Sequence, residues 1–299
     1  MGAHAGGYPR RVAEIRDATP GDVDRVYELL DARNRAAFGS SELTRRTLEI
    51  EFQHVTSDRF VAERGDRAVG YAVLSTAHDV HVAAADADVA DALLARIEDR
   101  ARRRGVASIT ATVVPEDVPF DALVRRAGFA HHRDVLRMWR ALDGKLAEPR
   151  WPVGATVRTY RSDDAVAVHE LADAVYSAWD GSYVALPHDE WLALMTAHDE
   201  FDPGMWFLLQ ADGKLVAAAL NWKEQHGRGW VKDLVVLPEA RGQGLATALL
   251  HHAFRAYASR RVDRVGLKVD STNPTGAARL YDRVGFRVDR RYGVWTKAL

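Results

Sequence analysis

The stretch Val231-Lys-Asp-Leu-Val-Val-Leu-Pro-Glu-Ala-Arg-Gly-Gln-Gly-Leu-Ala-Thr247 decides how this sequence is interpreted. It begins with an apolar run of strand length, passes through a glycine-rich turn, and enters an amphipathic helix predicted over residues 244–260. Gly242 and Gly244 let the backbone approach a ligand closely, because glycine has no Cβ. The first turn of a helix presents unpaired N–H groups and the positive end of its dipole. The stretch therefore predicts a strand that leads into a diphosphate-binding loop.

Two nucleotide-binding loops are disfavoured by their spacing. A P-loop closes its glycine turn with Lys followed by Ser or Thr, whereas this turn closes with Leu245-Ala246-Thr247. A dinucleotide-binding loop needs three spaced glycines and an acidic residue about 20 positions later. This turn has only Gly242 and Gly244, and Asp263 follows Arg261-Val262 instead of ending an apolar strand. Another kind of diphosphate loop is therefore expected.

A second motif lies downstream of the first. The predicted strand Arg264–Asp270 is followed by Ser271-Thr-Asn-Pro-Thr-Gly-Ala-Ala-Arg-Leu-Tyr-Asp-Arg-Val-Gly-Phe286. The turn Arg241-x-x-Gly244-x-Ala246, followed by Asn273, Ala277, Tyr281 and Gly285-Phe286, resembles the two signatures of the GCN5-related N-acetyltransferase (GNAT) superfamily. Both motifs occur in the family's order and at its spacing, and the resemblance covers roughly the second half of the chain.

The resemblance implies acetyl-CoA as the acyl donor and no metal. In that family the thioester lies where two parallel strands separate, here those ending near Leu237 and Asp270. Asn273 would contact the pantetheine arm or the thioester, although Asn-Pro is also a turn and N-cap signal in its own right. The pantetheine arm would run along the backbone of Leu234, Val235 and Val236. The diphosphate would be held by Arg241, Gly242, Gln243, Gly244, Leu245, Ala246 and Thr247.

Catalytic roles follow from the same resemblance. Tyr281 is the candidate general acid, because a phenol can donate a proton to the sulfur of CoA as it leaves. The alternative is a half-buried aromatic residue whose hydroxyl has only a structural partner. For the base that takes the proton of the amine, Asp233 is the first choice and Asp270 the second. Glu224 and His226 come third, and a chain of water molecules is a further alternative.

A backbone N–H near Val235 or Val236 would stabilise the oxyanion that forms during acyl transfer. Choice of the acceptor amine is assigned to the segment Val175–Pro187, between two predicted helices. Aromatic side chains beside an acid suit a cationic amine, and a loop that packs its aromatic residues on the core is the alternative. The side chains in question are Tyr176, Trp179, Asp180 and Tyr183.

The sequence also contains an internal repeat. Phe60–Val73 and Phe207–Leu220 both read as hairpins with a tight turn. Ile15-Arg16 and Val157-Arg158 both precede an acidic helix start, and a linker rich in proline and glycine lies near Asp143–Gly154. We therefore predict an α/β fold with two tandem GNAT-like domains, residues 1–146 and 152–299, each a bent mixed β-sheet flanked by helices. The alternative is the general β-α-β rhythm of any α/β protein.

The two copies differ where the cofactor would bind. Ala85–Ala90 aligns with Arg241–Ala246, but has no glycine or arginine and carries two aspartates that would repel a diphosphate. Val124 stands opposite Tyr281. The N-terminal copy is therefore predicted to have lost its cofactor site and to serve a structural purpose.

Composition bounds the protein's class. The chain has 299 residues, enough for one large or two ordinary domains, with 41 basic and 42 acidic side chains and a net charge of −1. This balance does not favour binding to nucleic acid or to an anionic membrane. The basic run Arg100–Arg104 is interpreted as the end of a helix, where cations complement the helix dipole. The absence of cysteine excludes disulfides and thiol catalysis. We expect a cytoplasmic, bacterial protein without a membrane span, monomeric or homodimeric.

These observations predict an acetyl-CoA-dependent N-acetyltransferase in which a primary amine of a small molecule attacks the thioester directly. Narrower possibilities are an enzyme similar to mycothiol synthase, which also has tandem domains, an antibiotic-modifying enzyme, or a protein N-acetyltransferase. The alternative from another class is a non-catalytic module that binds acyl-CoA or a partner. The presence of Tyr281 favours the enzyme.

Overall fold

A computed structural model describes residues 13–179, 183–225 and 228–299. The chain divides into two compact units. Unit 1 comprises the residues up to 130 together with 296–299, and unit 2 comprises residues 131–295. Each unit is a mixed β-sheet with helices packed against it, which confirms the predicted fold class.

Unit 1 has five strands in the order β1-β2-β3-β4-β5, in which only β4 and β5 are parallel. The strands are β1 (Glu14–Asp17), β2 (Ser57–Arg64), β3 (Arg67–Ser75), β4 (Asp79–Ala84) and β5 (Ser108–Val113). The helices are α1 (Val23–Phe38), α2 (Arg45–His54), α3 (Ala87–Arg103) and α4 (Val118–Arg126).

Unit 2 has the strand order β12-β6-β11-β10-β9-β8-β7. Its strands are β6 (Ala130–Ala141), β7 (Ala155–Thr159), β8 (Trp206–Ala211), β9 (Lys214–Gln225), β10 (Arg228–Val236), β11 (Arg264–Asp270) and β12 (Arg287–Ala298). Its helices are α5 (Ala165–Trp179), α6 (His188–Thr196), α7 (Leu245–Ser259) and α8 (Ala277–Arg283).

The same element order occurs twice, from β1 to β6 and from β7 to β12. Each copy also begins with the same two-pronged ion pair. Arg16 donates to both carboxylate oxygens of Asp22 at 2.8 and 2.7 Å, and Arg158 donates to both of Asp164 at 2.7 Å. A bidentate guanidinium–carboxylate pair fixes orientation as well as distance. It holds the first strand of each copy to the turn that precedes its first helix.

Strand β6 lies inside the predicted first domain, but most of it belongs to unit 2. By sequence it ends the first copy, yet it is antiparallel to β11, with Asp270 opposite Val135 and Val265 opposite Arg140. Residues 131–141 therefore belong to unit 2, whereas residues 296–299 at the end of the second copy belong to unit 1. The compact units thus differ from the ranges 1–146 and 152–299, which stay a prediction about the two sequence copies. An antiparallel strand can come from a distant part of the chain, and local patterns do not reveal its partner.

The two faces of the unit 2 sheet are covered by different helices. One hydrophobic cluster joins α7 and α8 to Val231, Leu267 and Val269. A second cluster joins α5 and α6 to Leu220 and Val235. We call these surfaces the α7 face and the α5 face.

Strand β10 carries a β-bulge at Lys232. Val231 pairs with Asn221 of β9, whereas Asp233 pairs with Leu220, so one residue of β10 has no counterpart. Side chains alternate between faces along a strand, and an extra residue inverts that alternation. As a result, Val231 lies on the α7 face and Asp233 on the α5 face.

Tyr257 of α7 stabilises the strands beside this bulge. Its hydroxyl donates to the carbonyl of Trp222 at 2.6 Å and accepts from the amide of Trp230 at 3.1 Å. Gly229 makes room for the ring, since a Cβ there would lie 2.3 Å from it. Helix α7 is thereby fixed to the part of the sheet where the parallel strands begin to separate.

Candidate active site

The parallel strands β10 and β11 separate to form a cleft. They pair at Arg228, Gly229 and Trp230, opposite Arg264, Val265 and Gly266, and the pairing stops there. Beyond that point, residues of both strands line a cleft of about 750 Å³. The structure therefore has an opening at the position where the sequence predicted one.

Nearly all the residues predicted for catalysis or cofactor binding line this cleft. The exceptions are Val235, which is buried on the α5 face, and Gln243, which is exposed. Their roles in binding and catalysis stay predictions. The predicted residues that the cleft brings together are Asp233, Leu234, Val236, Arg241, Gly242, Gly244, Leu245, Ala246, Thr247, Asp270, Asn273 and Tyr281.

The glycine-rich loop presents its backbone to the cleft. Gly242 and Gly244 have φ angles of 78° and 80°, and a Cβ at either position would meet no atom within 4 Å. Gly244 caps α7, whose first-turn amides have no intrahelical partners. Arg241 donates from Nε to the carbonyl of Val236 at 3.2 Å, which ties the loop to the end of β10. Such an arrangement of amides suits a diphosphate.

Asp233 has a phenolic partner on α5. The hydroxyl of Tyr176 donates a hydrogen bond to its carboxylate. Burial, and next the charge of Asp233, raise the pKa of Tyr176 well above its usual value near 10, so Tyr176 remains a donor. This contact orients one carboxylate oxygen of Asp233 and leaves the other for a further partner. The sequence indicated Tyr176 as part of an aromatic wall but gave no sign of this contact.

Tyr281 of α8 lies in the cleft with only 8% of its surface exposed. Its ring packs edge-on against Phe286 at 5.7 Å between centroids. Burial, and next the carboxylate of Asp233, raise the pKa of Tyr281 above its usual value. The phenol is therefore protonated at neutral pH and can act as a proton donor.

The carboxylate of Asp270 is already committed to other groups. It accepts hydrogen bonds from the guanidinium of Arg133, and from the amide and hydroxyl of Thr272 at 2.8 and 2.7 Å. Both carboxylate oxygens of Asp270 therefore have partners, whereas Tyr176 engages only one oxygen of Asp233. Asp233 thus has an oxygen available to a ligand, as the first-choice base would need.

Asn273 forms the turn that its Asn-Pro sequence indicated. Its side-chain oxygen accepts from the amide and the hydroxyl of Thr275 at 2.9 and 2.6 Å. This is an Asx-type turn at the entrance of α8. The side-chain NH2 group of Asn273 is the part left for a ligand.

Helix α5 and the segment after it bring two stacked tyrosine rings beside an acid. Tyr183 donates from its hydroxyl to Asp173 at 2.6 Å, and its ring stacks on Tyr176 at 5.5 Å. His169 Nε2 lies 3.3 Å from the same carboxylate of Asp173. Two stacked tyrosine rings thus lie beside the acid Asp173, whereas the predicted acid Asp180 lies outside the described residues.

Asp180 and His226 lie outside the described residues, as do the side chains of Trp179 and Glu224.

In unit 1 the equivalent gap is filled by the chain's own side chains. Strands β4 and β5 pair only at Asp79 and Val80, opposite Thr110 and Ala111. Beyond this point Arg33 of α1 enters, donating to the carbonyl of Val82 at 2.8 Å and to both carboxylate oxygens of Asp117 at 2.6 and 2.7 Å.

His81 takes the place in unit 1 that Asp233 has in unit 2. It pairs with Val73, as Asp233 pairs with Leu220, at matching positions of the repeated hairpin. Its ring lies 5.1 Å from that of Phe120. Burial, and next the charge of Arg33, lower the pKa of His81 to about 4, so the ring is neutral near pH 7.

Comparisons with known proteins agree with this geometry. The profile described as "Acetyltransferase (GNAT) family" matches residues 167–286. The mycothiol acetyltransferase of Kineococcus radiotolerans is 34% identical over 297 residues, which cover 93% of this chain and 94% of that protein. This chain belongs to the GNAT family of acetyltransferases. The mycothiol acetyltransferase of Thermobispora bispora is 31% identical, over 91% of this chain and 95% of that protein.

Solved structures confirm the tandem GNAT fold. A GCN5-related N-acetyltransferase from Sphaerobacter thermophilus has a TM-score of 0.72 and 24% identity, over 98% of this chain and 97% of its own. A tandem GNAT protein from the clavulanic acid biosynthesis pathway has a TM-score of 0.71 and 18% identity, over 96% and 98%. At these identities the likeness shows the fold of this chain alone and carries no information about its substrate.

Arg133 and Val135 also line the cleft, and no motif in the sequence indicates them. Both come from β6, which the sequence assigns to the first copy. Alternating polar and apolar residues in that segment indicate a strand, but no local signal shows that the strand joins β11. Within the described residues there is no group of three or more potential metal ligands, and no helix there has the length and hydrophobicity needed to cross a membrane.

The contacts of Asp270 predict a structural role that stability measurements can test. Asp270→Asn should lower the free energy of unfolding by about 2 kcal/mol, because a buried, charge-assisted hydrogen bond to Arg133 is lost. The matched control is Asp282→Asn, since Asp282 pairs with Arg287 at the surface, where both side chains are about 70% exposed. Urea unfolding should show no measurable change for the control. Equal effects in the two variants would contradict the structural role.

Proposed function

We propose that this GNAT enzyme transfers the acetyl group of acetyl-CoA to a primary amine of a small molecule, which attacks the thioester directly. The observation that carries the proposal is the cleft itself. It combines the glycine loop on α7, the protonated Tyr281 and the carboxylate of Asp233 around the gap between two parallel strands. No cysteine is available for an acetyl-cysteine intermediate, which is consistent with direct attack.

The residues of the cleft fit acetyl-CoA as a substrate. The loop from Arg241 to Thr247 would bind its diphosphate through backbone amides and the helix dipole. The edge of β10 at Leu234–Val236, which does not pair with β11, would hydrogen-bond the pantetheine arm, as an added strand does. Asn273 would donate from its side-chain NH2 group. A thioester held in this way supplies the acetyl group and a thiolate leaving group.

Proton movements can be assigned to two side chains. Asp233, directly or through water, takes the proton of the ammonium group, and the free amine then attacks the thioester carbonyl carbon. An amide near Val235 or Val236 stabilises the negative oxygen. As the carbon–sulfur bond breaks, Tyr281 donates its proton to the sulfur, and the nitrogen of the tetrahedral intermediate releases its extra proton to water. Tyr281 then regains a proton from solvent, and Asp233 gives up to solvent the proton that it took from the ammonium group. The products are the acetamide and CoA.

The names of the relatives point to a first acceptor to test. Proteins called mycothiol acetyltransferase match over almost the full length of this chain. We therefore infer that the unacetylated amine precursor of mycothiol belongs in the first substrate panel. Amine-bearing antibiotics and peptides with a free N-terminus or lysine complete the panel, because the motifs are shared by enzymes that act on them.

A single acetyl-CoA site per chain follows from the differences between the two copies. Arg33 and Asp117 occupy the gap of unit 1, and the carbonyl of Val82 is already paired with Arg33. In unit 2 the corresponding gap is open. We infer that the N-terminal copy has lost its cofactor site and serves a structural purpose.

Calorimetric titration tests the location of this site. Gly244→Asp should abolish acetyl-CoA binding, because a carboxylate would face the diphosphate. Gly213→Asp is the matched control, since Gly213 also has a positive φ angle, 76°, with open space around it, but lies in a hairpin outside the cleft. Wild type and control should each bind one equivalent per chain. Two equivalents in wild type, or binding that persists in Gly244→Asp, would contradict the assignment.

Replacing Tyr281 tests the general acid. Tyr281→Phe should lower kcat about 100-fold and leave the Kd for acetyl-CoA nearly unchanged, because only the proton donor is lost. Tyr160→Phe removes a hydroxyl from a buried tyrosine outside the cleft and should keep the wild-type kcat. Since the pKa of Tyr281 is raised, wild-type kcat should not fall through loss of its proton at mildly alkaline pH. A Tyr281→Phe enzyme with wild-type kcat would refute the role.

The base can be identified from the pH dependence of acetylation. Asp233→Asn should lower kcat/KM for the amine about 100-fold at neutral pH. The deficit should shrink as the pH rises towards the pKa of an alkylamine, about 10, because the amine then arrives without its extra proton. If Asp270→Asn shows this pattern and Asp233→Asn does not, then Asp270 is the base.

A further inference from the structure

Arg133 lies on the same face of the sheet as Asp233. In β6 and β11, Leu136 and Val269 pair with each other and belong to the hydrophobic cluster of the α7 face. Because side chains alternate along a strand, Val135, Arg133 and the opposing Asp270 lie on the α5 face.

The diphosphate loop is carried by α7, which packs on the opposite face. Arg133 therefore stands with Asp233 and Tyr176 on the side of the cleft where an amine would approach. It lines the same cleft as they do.

Arg133 is held in place by only part of its guanidinium group. Its Nε donates to Asp270, and 26% of the side chain is exposed. Within the described residues, the two terminal nitrogens of Arg133 donate no hydrogen bond. Neither of these two nitrogens is among the buried polar atoms that lack a partner. A guanidinium group presents its donors in a rigid planar fork. The terminal nitrogens of Arg133 thus offer oriented donors to the cleft.

Asp270 makes this orientation firm. Its carboxylate is itself fixed by the amide and hydroxyl of Thr272. Arg133 therefore cannot swing away without breaking a buried ion pair. By fixing the guanidinium group of Arg133 in this way, Asp270 pre-organises it to bind a ligand.

We propose that Arg133 binds an oxygen atom of the acceptor amine, a hydroxyl or a carboxylate, and so helps to select the acceptor. The proposal rests on the proposed function and adds a substrate class, which is amines that carry a hydrogen-bonding oxygen as well as the reacting nitrogen. Asp233 engages the nitrogen, and Arg133 engages the oxygen.

This proposal also gives the first sequence copy a part in the chemistry of the second. Strand β6 ends the first copy in sequence but pairs with β11 in unit 2. Through that strand, the first copy supplies a side chain to the cleft of the other. Loss of its own cofactor site is compatible with this use.

Three ring amines that differ in one substituent test the proposal. They are cyclohexylamine, trans-4-aminocyclohexanol and trans-4-aminocyclohexanecarboxylate, assayed by release of CoA thiol together with the panel described above. The wild-type enzyme should prefer the hydroxyl or the carboxylate compound over cyclohexylamine by about tenfold in kcat/KM, the contribution of one charge-assisted hydrogen bond. Which of the two is preferred identifies the oxygen.

Two variants separate binding from structure. Arg133→Lys keeps a cation beside Asp270 but lacks the planar fork, and Arg133→Ala lacks both. Both should raise KM for the oxygen-bearing amine about tenfold, with little change in kcat, in KM for cyclohexylamine or in Kd for acetyl-CoA. If only a panel compound is acetylated, KM for that compound is the quantity compared.

Each other outcome overturns the inference. If Arg133→Lys keeps the wild-type KM and selectivity, Arg133 serves only to hold Asp270. If the wild-type enzyme shows no preference for an oxygen, Arg133 does not select the acceptor. If the wild-type enzyme binds acetyl-CoA but acetylates no amine at all, the proposed function fails and the inference falls with it.

Discussion

The site depends on one irregular region of the unit 2 sheet. In this region the pairing between β10 and β11 ends, and β10 carries the bulge at Lys232. The separation opens room for a ligand between two strands that would otherwise be hydrogen-bonded. The bulge turns Asp233 to the face opposite Val231. Tyr257 holds this irregular region through two hydrogen bonds with strand peptide groups. The glycine loop and Asp233 are thereby placed on opposite faces of one opening, which is where we propose that the two substrates meet.

Unit 1 shows the same fold without these chemical consequences. Its parallel strands separate after two pairs, but β4 has no register shift against β3. His81 takes the place of the carboxylate, and Arg33 closes the gap through Val82 and Asp117. A buried arginine of this kind satisfies the strand's free carbonyl from within the chain, which removes the need for a ligand. The comparison indicates that the fold alone does not make a GNAT active site, and that the side chains in the gap decide the outcome.

The parts of the site that sequence predicted are local ones. The loop from Arg241 to Thr247 and the turn at Asn273 each depend on residues within a few positions, such as the glycines with positive φ. The predicted helix 244–260 is confirmed at Leu245–Ser259 for the same reason. The contacts that sequence did not predict are non-local. Arg133 reaches the cleft through β6, and Tyr176 reaches Asp233 across 57 positions of the chain. The bulge adds a single residue to β10. One extra residue does not change the pattern of apolar residues enough for the sequence to predict the bulge.

The central claim is that donor and amine occupy the cleft together and react directly. Initial rates measured over a grid of acetyl-CoA and amine concentrations test it most directly. Our account predicts double-reciprocal lines that intersect, and an enzyme whose intact mass is unchanged after incubation with acetyl-CoA alone. Parallel lines, with a stable mass increase of one acetyl group, would show a covalent intermediate and contradict the account.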